Sequence, residues 1–268
     1  MARCMVGDAG LEYRLEGSGR PVVVLLNGIA MSMSHWKPVS DTLVAAGYRV
    51  LLHDMRGQLQ SDKPPGPYSL ELHARDLASL MDQVVVSTAH IVGTSYGAEV
   101  ALTFARDFPG RCLSVTAIDG VSEFDGVLGA AVDAWKAAAL ADPRVFYKTI
   151  IPWNYSAAFI TANREMLAKR EDVVAALPRE YFEAFARLCD AFMAIDLTKD
   201  LGRISCPCLV MVGGHDILKR PAYSRQIANA VSGASYMEIT GAGHAVVLEQ
   251  PQAVSKGLLD FLKSLADA

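Results

Sequence analysis

No apolar run in this 268-residue chain is long enough to cross a bilayer: the block VVVLL at 22–26 is far short of the roughly 20 residues a spanning helix needs, so no membrane partner is expected. No cluster of lysine and arginine stands out. The 29 acidic residues against 25 basic ones leave a net charge of −4, which argues against nucleic acid as a partner. Cysteine is scarce, odd in number and scattered (Cys4, Cys112, Cys189, Cys206, Cys208), which excludes a disulfide framework. Cys206-Pro-Cys208 is a close pair, but no further residues stand at metal-ligand spacing, and no metal or other cofactor is expected. The cysteines therefore read as buried thiols of a reducing compartment. The start, MARCMVGDAG, lacks the apolar stretch of a signal peptide, and together these features predict a cytoplasmic protein. There is no internal repeat and no low-complexity tract. With 51% apolar and 20% charged residues the chain is globular rather than disordered.

What is present is an alternation. A hairpin over 1–18, turning near Gly7-Asp8, is followed by short continuously apolar strands at 22–27, 48–54, 89–94, 113–119, 208–214 and 235–240. Amphipathic helices separate them at 32–46, 70–84, 96–108 and 221–231, and Pro251 opens a final one. Apolar strands alternating with helices predict a parallel sheet covered on both faces, an α/β fold. Residues 122–200 break the rhythm: they carry helical patterns near 127–141, 156–170 and 179–195 and no apolar strand. They read as a helical cap inserted into a core made of 1–121 and 201–268.

An open parallel sheet carries its chemistry at the carboxyl ends of its strands. Asn27-Gly28, Asp54, Ser95, Asp119, Asp216 and His244 follow six successive strands. Ser95 lies in Gly-Thr-Ser-Tyr-Gly, where a strand becomes a helix. A serine hydroxyl needs a base, and the base needs an orienting carboxylate. Asp216 in GGHDILKRP and His244 in GAGHAVVLEQP supply both, in the chain order Ser, Asp, His expected of nucleophile-elbow hydrolases. Asp119, which also ends a strand, is the alternative acid.

The segments LLNGIAMSMSHW, HDMRGQLQSDKP, IVGTSYGAE, VGGHDILKRP and GAGHAVVLEQP, in this order, resemble the α/β-hydrolase superfamily over nearly the whole chain. The resemblance implies an α/β-hydrolase fold with a mostly parallel central sheet. It also implies Ser95, Asp216 and His244 as catalytic residues and the backbone N–H groups of Ile29 and Tyr96 as an oxyanion hole. Such fixed dipoles stabilise the charge that develops on an attacked carbonyl. Three positions depart from the pattern: Asn27 stands where histidine is common, Leu59 replaces the second glycine of Arg-Gly-X-Gly, and Ala98 replaces a glycine after the elbow. DMRGQLQSDKPPGPYSLELHARDLASLMD and PWNYSAAFI resemble the 3-oxoadipate enol-lactonases more narrowly. This implies a small or medium carboxylic ester or lactone as substrate.

Trp135, Trp153 and Tyr155 in the helical insertion are candidates for the pocket wall, the last two placed in a linker between helices. His35, beside the oxyanion loop, is either a substrate contact or a surface residue, and His215 points away from the site. His53, His73 and His90 read as structural, as does Asp54, paired with loop amides or with Arg56. Serine at the elbow separates the chain from dehalogenases and epoxide hydrolases, which carry aspartate there. Thioesterase, C–C hydrolase, cofactor-free perhydrolase and slow receptor-like hydrolase remain as alternatives.

Overall fold

A computed structural model describes residues 2–266; Met1, Asp267 and Ala268, at the ends of the expected core segments, lie outside the described residues. The chain runs β1 (Ala2–Val6), β2 (Ala9–Glu16), β3 (Val22–Leu26), α1 (Lys37–Ala45), β4 (Arg49–His53), α2 (Leu70–Gln83), β5 (Ala89–Thr94), α3 (Tyr96–Asp107) and β6 (Cys112–Ile118). It continues through α4 (Gly126–Ala141), α5 (Pro143–Asn154), α6 (Ala157–Ala162), α7 (Arg164–Ala175) and α8 (Arg179–Met193). It closes with β7 (Cys208–Gly213), α9 (Pro221–Ala230), β8 (Ser235–Ile239), α10 (Val246–Glu249) and α11 (Pro251–Ala266).

The eight strands form one sheet in the order β1-β2-β4-β3-β5-β6-β7-β8. β1 and β2 pair antiparallel, β2 meets β4 antiparallel, and the remaining pairs are parallel. Side chains alternate between faces along each strand. Val22, Val24 and Leu26 of β3 enter one apolar cluster, while Val23 and Leu25 enter the other. Both faces are buried under helices, which is why these strands are apolar throughout.

Register aligns the strand ends. Leu26 stands opposite His53 and Gly93, Thr94 opposite Ile118, and Ile118 opposite Met211. Asn27, Asp54, Ser95 and Asp119 therefore emerge side by side along one edge of the sheet.

Between β6 and β7 the structure has five helices where three were expected. Residues 143–154 form α5, because Asp142 accepts from the N–H groups of Arg144 and Val145 and Pro143 occupies the first helical position. Pro143 starts this helix, where its missing N–H would have no intrahelical partner, and Pro152 lies inside it near the C-terminus, where it removes one intrahelical hydrogen bond. The expected helix 156–170 divides at Asn163 into α6 and α7. The predicted helix 32–46 begins as a 3-10 turn over Met33–Trp36. The five cysteines are all unpaired, and among the described residues no helix is long and apolar enough to cross a membrane.

Candidate active site

β5 runs into α3 through Ser95, whose φ of 53° and ψ of −119° lie outside the regions a serine normally adopts. Such a conformation costs on the order of 1–3 kcal/mol and persists only where packing enforces it. The enforcement is visible in the flanking glycines. A Cβ on Gly93 would sit 1.9 Å from the Gly97 carbonyl oxygen, and one on Gly97 would sit 2.4 Å from that of Leu26. The turn is as tight as Gly-X-Ser-X-Gly implies.

Ser95 Oγ lies 2.9 Å from His244 Nε2, and His244 Nδ1 lies 2.7 Å from Asp216 Oδ2. The other oxygen of Asp216 accepts from the N–H groups of Leu218 and Lys219, each at 2.8 Å. That carboxylate is thus held at both oxygens. The imidazole is oriented with Nδ1–H toward Asp216 and a free electron pair on Nε2 for the serine proton.

Asp119, the rival acid, makes a different set of contacts. Its Oδ1 accepts from the Gly213 N–H at 2.8 Å, and its Oδ2 has no partner among the described residues. Burial, and next the charge of Asp216, push its carboxyl well above the usual range. Ligand atoms of Asp119, Asp216 and His244 fall within 4.8 Å of one another, spacing suited to a metal. However, His244 Nδ1 and Asp216 Oδ2 are already engaged with each other.

The loop after β3 passes Ser95 so closely that a Cβ on Gly28 would be 3.4 Å from the serine Cβ. Neither the Ile29 nor the Tyr96 N–H donates to an acceptor among the described residues, leaving both available at the serine. Asn27, at the position where histidine is common in the family the sequence resembles, braces this loop through its side chain. Its amide donates to the His53 carbonyl, to Asp54 Oδ1 at 3.0 Å and to Gln58 Oε1 at 3.2 Å. Gln58 in turn donates to the Gly28 carbonyl at 2.9 Å. Asp54 accepts from the amides of Met33 and Gln60, while Arg56 pairs with Asp76 and Asp8 instead. Gln58 was not singled out in the sequence because glutamine in a polar loop carries no pattern.

Another pair escaped the sequence reading. Lys219 Nζ lies 2.8 and 2.9 Å from the two Glu99 oxygens, with the side chains only 4% and 0% exposed. Glu99 also accepts from the Val121 N–H, and the ammonium sits 4.7 Å from the centre of the Phe192 ring. Lys219 follows Asp216 by three residues and Glu99 lies one turn past Ser95, so this ion pair ties the acid loop to the nucleophile helix. The available signal was a glutamate inside the otherwise apolar run of α3.

Beside Ser95 opens a cavity of about 360 Å³, between the strand ends and helices α4, α5, α7 and α8. Its wall is mostly apolar and aromatic, with Phe146, Ile150, Tyr181 and Phe185 among its residues. Trp135 and Tyr155 both line it. Trp135 also borders a recess of about 20 Å³ beside Ser95, and its indole N–H has no acceptor among the described residues. Trp153 is a correction: it lies in the last turn of α5 rather than in a linker, half-buried against the core and off the cavity wall. Asn154 and Tyr155 follow it and turn to the wall in its place.

His35 is on the cavity wall, and His215 is exposed. His53, His73 and His90 are buried in the interior, where burial pushes them down to about 4, about 3 and about 4. Arg170 of α7, also on the wall, was not anticipated because it belongs to a run of charges that reads as a solvated face.

A model of the alpha/beta hydrolase family matches residues 23–256. A protein of Azorhizobium caulinodans named "Putative carbamate hydrolase RutD" is 28% identical over 257 residues, which span 95% of this chain and 96% of that protein. Among solved structures, the alpha/beta hydrolase MGS-M2 from a Medee basin deep-sea metagenome library superposes with a TM-score of 0.92 at 26% identity. That match covers 98% of this chain and 97% of the other. The enol-lactonase from Burkholderia xenovorans LB400 has a TM-score of 0.90 at 28% identity, covering 98% of this chain and all of that one.

Proposed function

Because the chain belongs to the alpha/beta hydrolase family, we propose that it is a serine hydrolase that cleaves small or medium carboxylic esters or lactones through an acyl-enzyme on Ser95. The observation that carries this reading is the unbroken line of hydrogen bonds from Asp216 through His244 to Ser95, opening into a cavity with room for a compact substrate.

In this reading His244 Nε2 takes the Ser95 proton as Oγ attacks the carbonyl carbon. Asp216 keeps the ring oriented and stabilises the imidazolium. The oxyanion settles between the N–H groups of Ile29 and Tyr96, held in place by the Asn27–Gln58 bracing. Collapse of the tetrahedral intermediate breaks the C–O bond, and His244 passes its proton to the departing alkoxide or enolate oxygen. Water, deprotonated by the same imidazole, then releases the acid. Helices α4–α8 act as a cap that excludes bulk water and limits substrate size. An enol-lactone is the member of this class favoured by the likeness to the Burkholderia enzyme. Carbamate cleavage is a second reading, favoured by the name of the Azorhizobium relative, and it uses the same acyl transfer.

The test is Ser95→Ala. The variant should stay folded, lose labelling by a fluorophosphonate and lose at least about a thousandfold in turnover of short-chain esters. A folded variant with near-normal esterase activity refutes the assignment.

A further inference from the structure

His244 sits on a loop, residues 240–245, between β8 and α10, so no strand or helix fixes its height over Ser95. Contacts to the rest of the molecule do so instead. On the core side the His215 N–H donates to the Ala242 carbonyl at 2.8 Å, tying the acid loop to this one. On the cap side the Ala245 N–H donates at 2.6 Å to the carbonyl of Asn154, where α5 ends. Gly243, on the other flank of His244, is held by Glu249, the last residue of α10. Glu249 Oε1 accepts from the Gly243 N–H at 3.1 Å and from the Ser156 N–H at 2.9 Å, and its Oε2 accepts from the Ser156 hydroxyl at 2.6 Å. Ser156 is the N-cap of α6, where its Oγ accepts from the Phe159 N–H at 3.2 Å. One carboxylate thus bridges the loop that carries the base and the start of a cap helix. The two backbones also touch. A Cβ on Gly243 would lie 2.5 Å from the Ser156 nitrogen and 2.8 Å from the Tyr155 carbonyl carbon, so glycine is required just before His244.

A proton relay tolerates little displacement. His244 has to meet Ser95 and Asp216 with its two ring nitrogens at once, at 2.9 and 2.7 Å. A shift of about 1 Å in a reacting group can cost about a hundredfold in rate. We propose that Glu249 is a positioning residue for the reaction: it locks the base loop to the α5–α6 junction, so that the seating of the cap sets the aim of His244. This rests on the serine-hydrolase reading above and gives the cap a part in the chemistry beyond roofing the cavity. The role requires reach and hydrogen-bond acceptance rather than charge, because the donors that Glu249 holds are backbone N–H groups and a hydroxyl. A glutamine here presents its carbonyl oxygen to Gly243 and Ser156 while its amide donates to the Ser156 hydroxyl. An aspartate keeps the charge but falls one methylene short of bridging both sides.

The experiment compares Glu249→Gln, Glu249→Asp and Glu249→Ala with the unmodified protein on p-nitrophenyl butyrate. Ser95 is titrated to completion with a fluorophosphonate, so that turnover is read per live site. Glu249→Gln should keep kcat within about threefold, whereas Glu249→Asp and Glu249→Ala should lose about 10–100-fold in kcat with KM changed by less than about threefold. If Glu249→Ala fails to fold, the contrast between glutamine and aspartate decides alone. A second reading is the downfield proton resonance of His244 Nδ1–H, taken well below the Tm of every variant so that a general loss of stability does not move it. It should persist in Glu249→Gln and broaden or vanish through solvent exchange in Glu249→Asp. An aspartate variant as active as the glutamine one, a glutamine variant as impaired as the aspartate one, or a resonance that Glu249→Asp leaves untouched overturns the positioning role while the serine-hydrolase reading stands. If the unmodified protein neither cleaves the ester nor takes the fluorophosphonate on Ser95, the hydrolase reading fails and the positioning role fails with it.

Discussion

Replacing Lys219 with methionine strands a carboxylate in the interior. Glu99 is fully buried, and the ammonium contacts both of its oxygens at 2.8–2.9 Å; without it only the Val121 N–H remains to stabilise the charge. Removing one member of a buried ion pair costs about 3–5 kcal/mol, because the survivor keeps its desolvation penalty and loses its compensation. Against a total stability of about 5–15 kcal/mol that is a fifth or more of the margin. Burial already raises the Glu99 carboxyl, and loss of Lys219 raises it further. A carboxyl raised in the folded state binds its proton more tightly there than in the unfolded chain. The deficit is therefore smallest near and below pH 4.5 and grows as the pH rises. Removing both charges tests whether the loss belongs to the pair. In Glu99→Gln/Lys219→Met the glutamine oxygen still accepts from Val121 and the methionine fills the space of the lysine stem. The double variant should therefore be more stable than the sum of the singles by about 2–3 kcal/mol. Urea unfolding at about pH 7.5, followed by tryptophan fluorescence, measures all four corners of the cycle. A Lys219→Met loss below about 1 kcal/mol, the scale of an exposed pair, or strict additivity, would refute the view that this pair clamps the acid loop to the nucleophile helix.

Other outcomes follow from single contacts. Asp216→Asn should lower turnover by roughly ten-thousandfold by leaving His244 in the wrong tautomer. Asp119→Asn should cost far less, since burial already pushes that carboxyl well above its usual range; the opposite order in steady-state kinetics would assign the acid to β6. Gly97→Ala places a Cβ 2.4 Å from the Leu26 carbonyl and 2.7 Å from that of Asn27, both backbone atoms that cannot swing aside. It should lower stability by about 1–3 kcal/mol, a fall of roughly 3–10 °C in Tm, and an unchanged melting curve would show that the elbow has slack. His90 is held neutral by burial, down to about 4, while the unfolded chain protonates near 6.5. Its stabilising contribution is thus complete above about pH 6.5 and lost as the pH falls toward 4. His90→Gln should flatten that part of the stability curve by up to about 1.4 kcal/mol per pH unit, and parallel urea-unfolding curves for the two proteins would contradict it.

Much of this molecule is written locally. Val22–Leu26 can only be a strand buried on both faces, because alternate side chains must both find apolar partners and none of them is polar. Gly93, Ser95 and Gly97 announce the elbow because no larger residue fits beside those carbonyls. Asp216 and His244 are recognisable because each follows a strand in a glycine-bearing loop, where an α/β sheet delivers its polar groups. The helical insertion was less readable. Proline at 143 and 152 concealed α5, whose last turn holds Trp153 half-buried against the core while Tyr155, just past its end, lines the cavity.

By itself the sequence determined the alternation of strands and helices, the strained serine turn and the set of groups gathered at the strand ends, because short-range sterics and hydrophobic periodicity decide these within a few residues. Only the tertiary structure decided which carboxylate faces His244, that Glu99 and Lys219 meet across 120 residues, and that Arg170 turns inward to His35 and Tyr155. Those contacts depend on how whole helices rotate and settle against the sheet. Long polar side chains reach across elements that no local pattern relates, and a buried charge shows its partner only when the chain has closed around both.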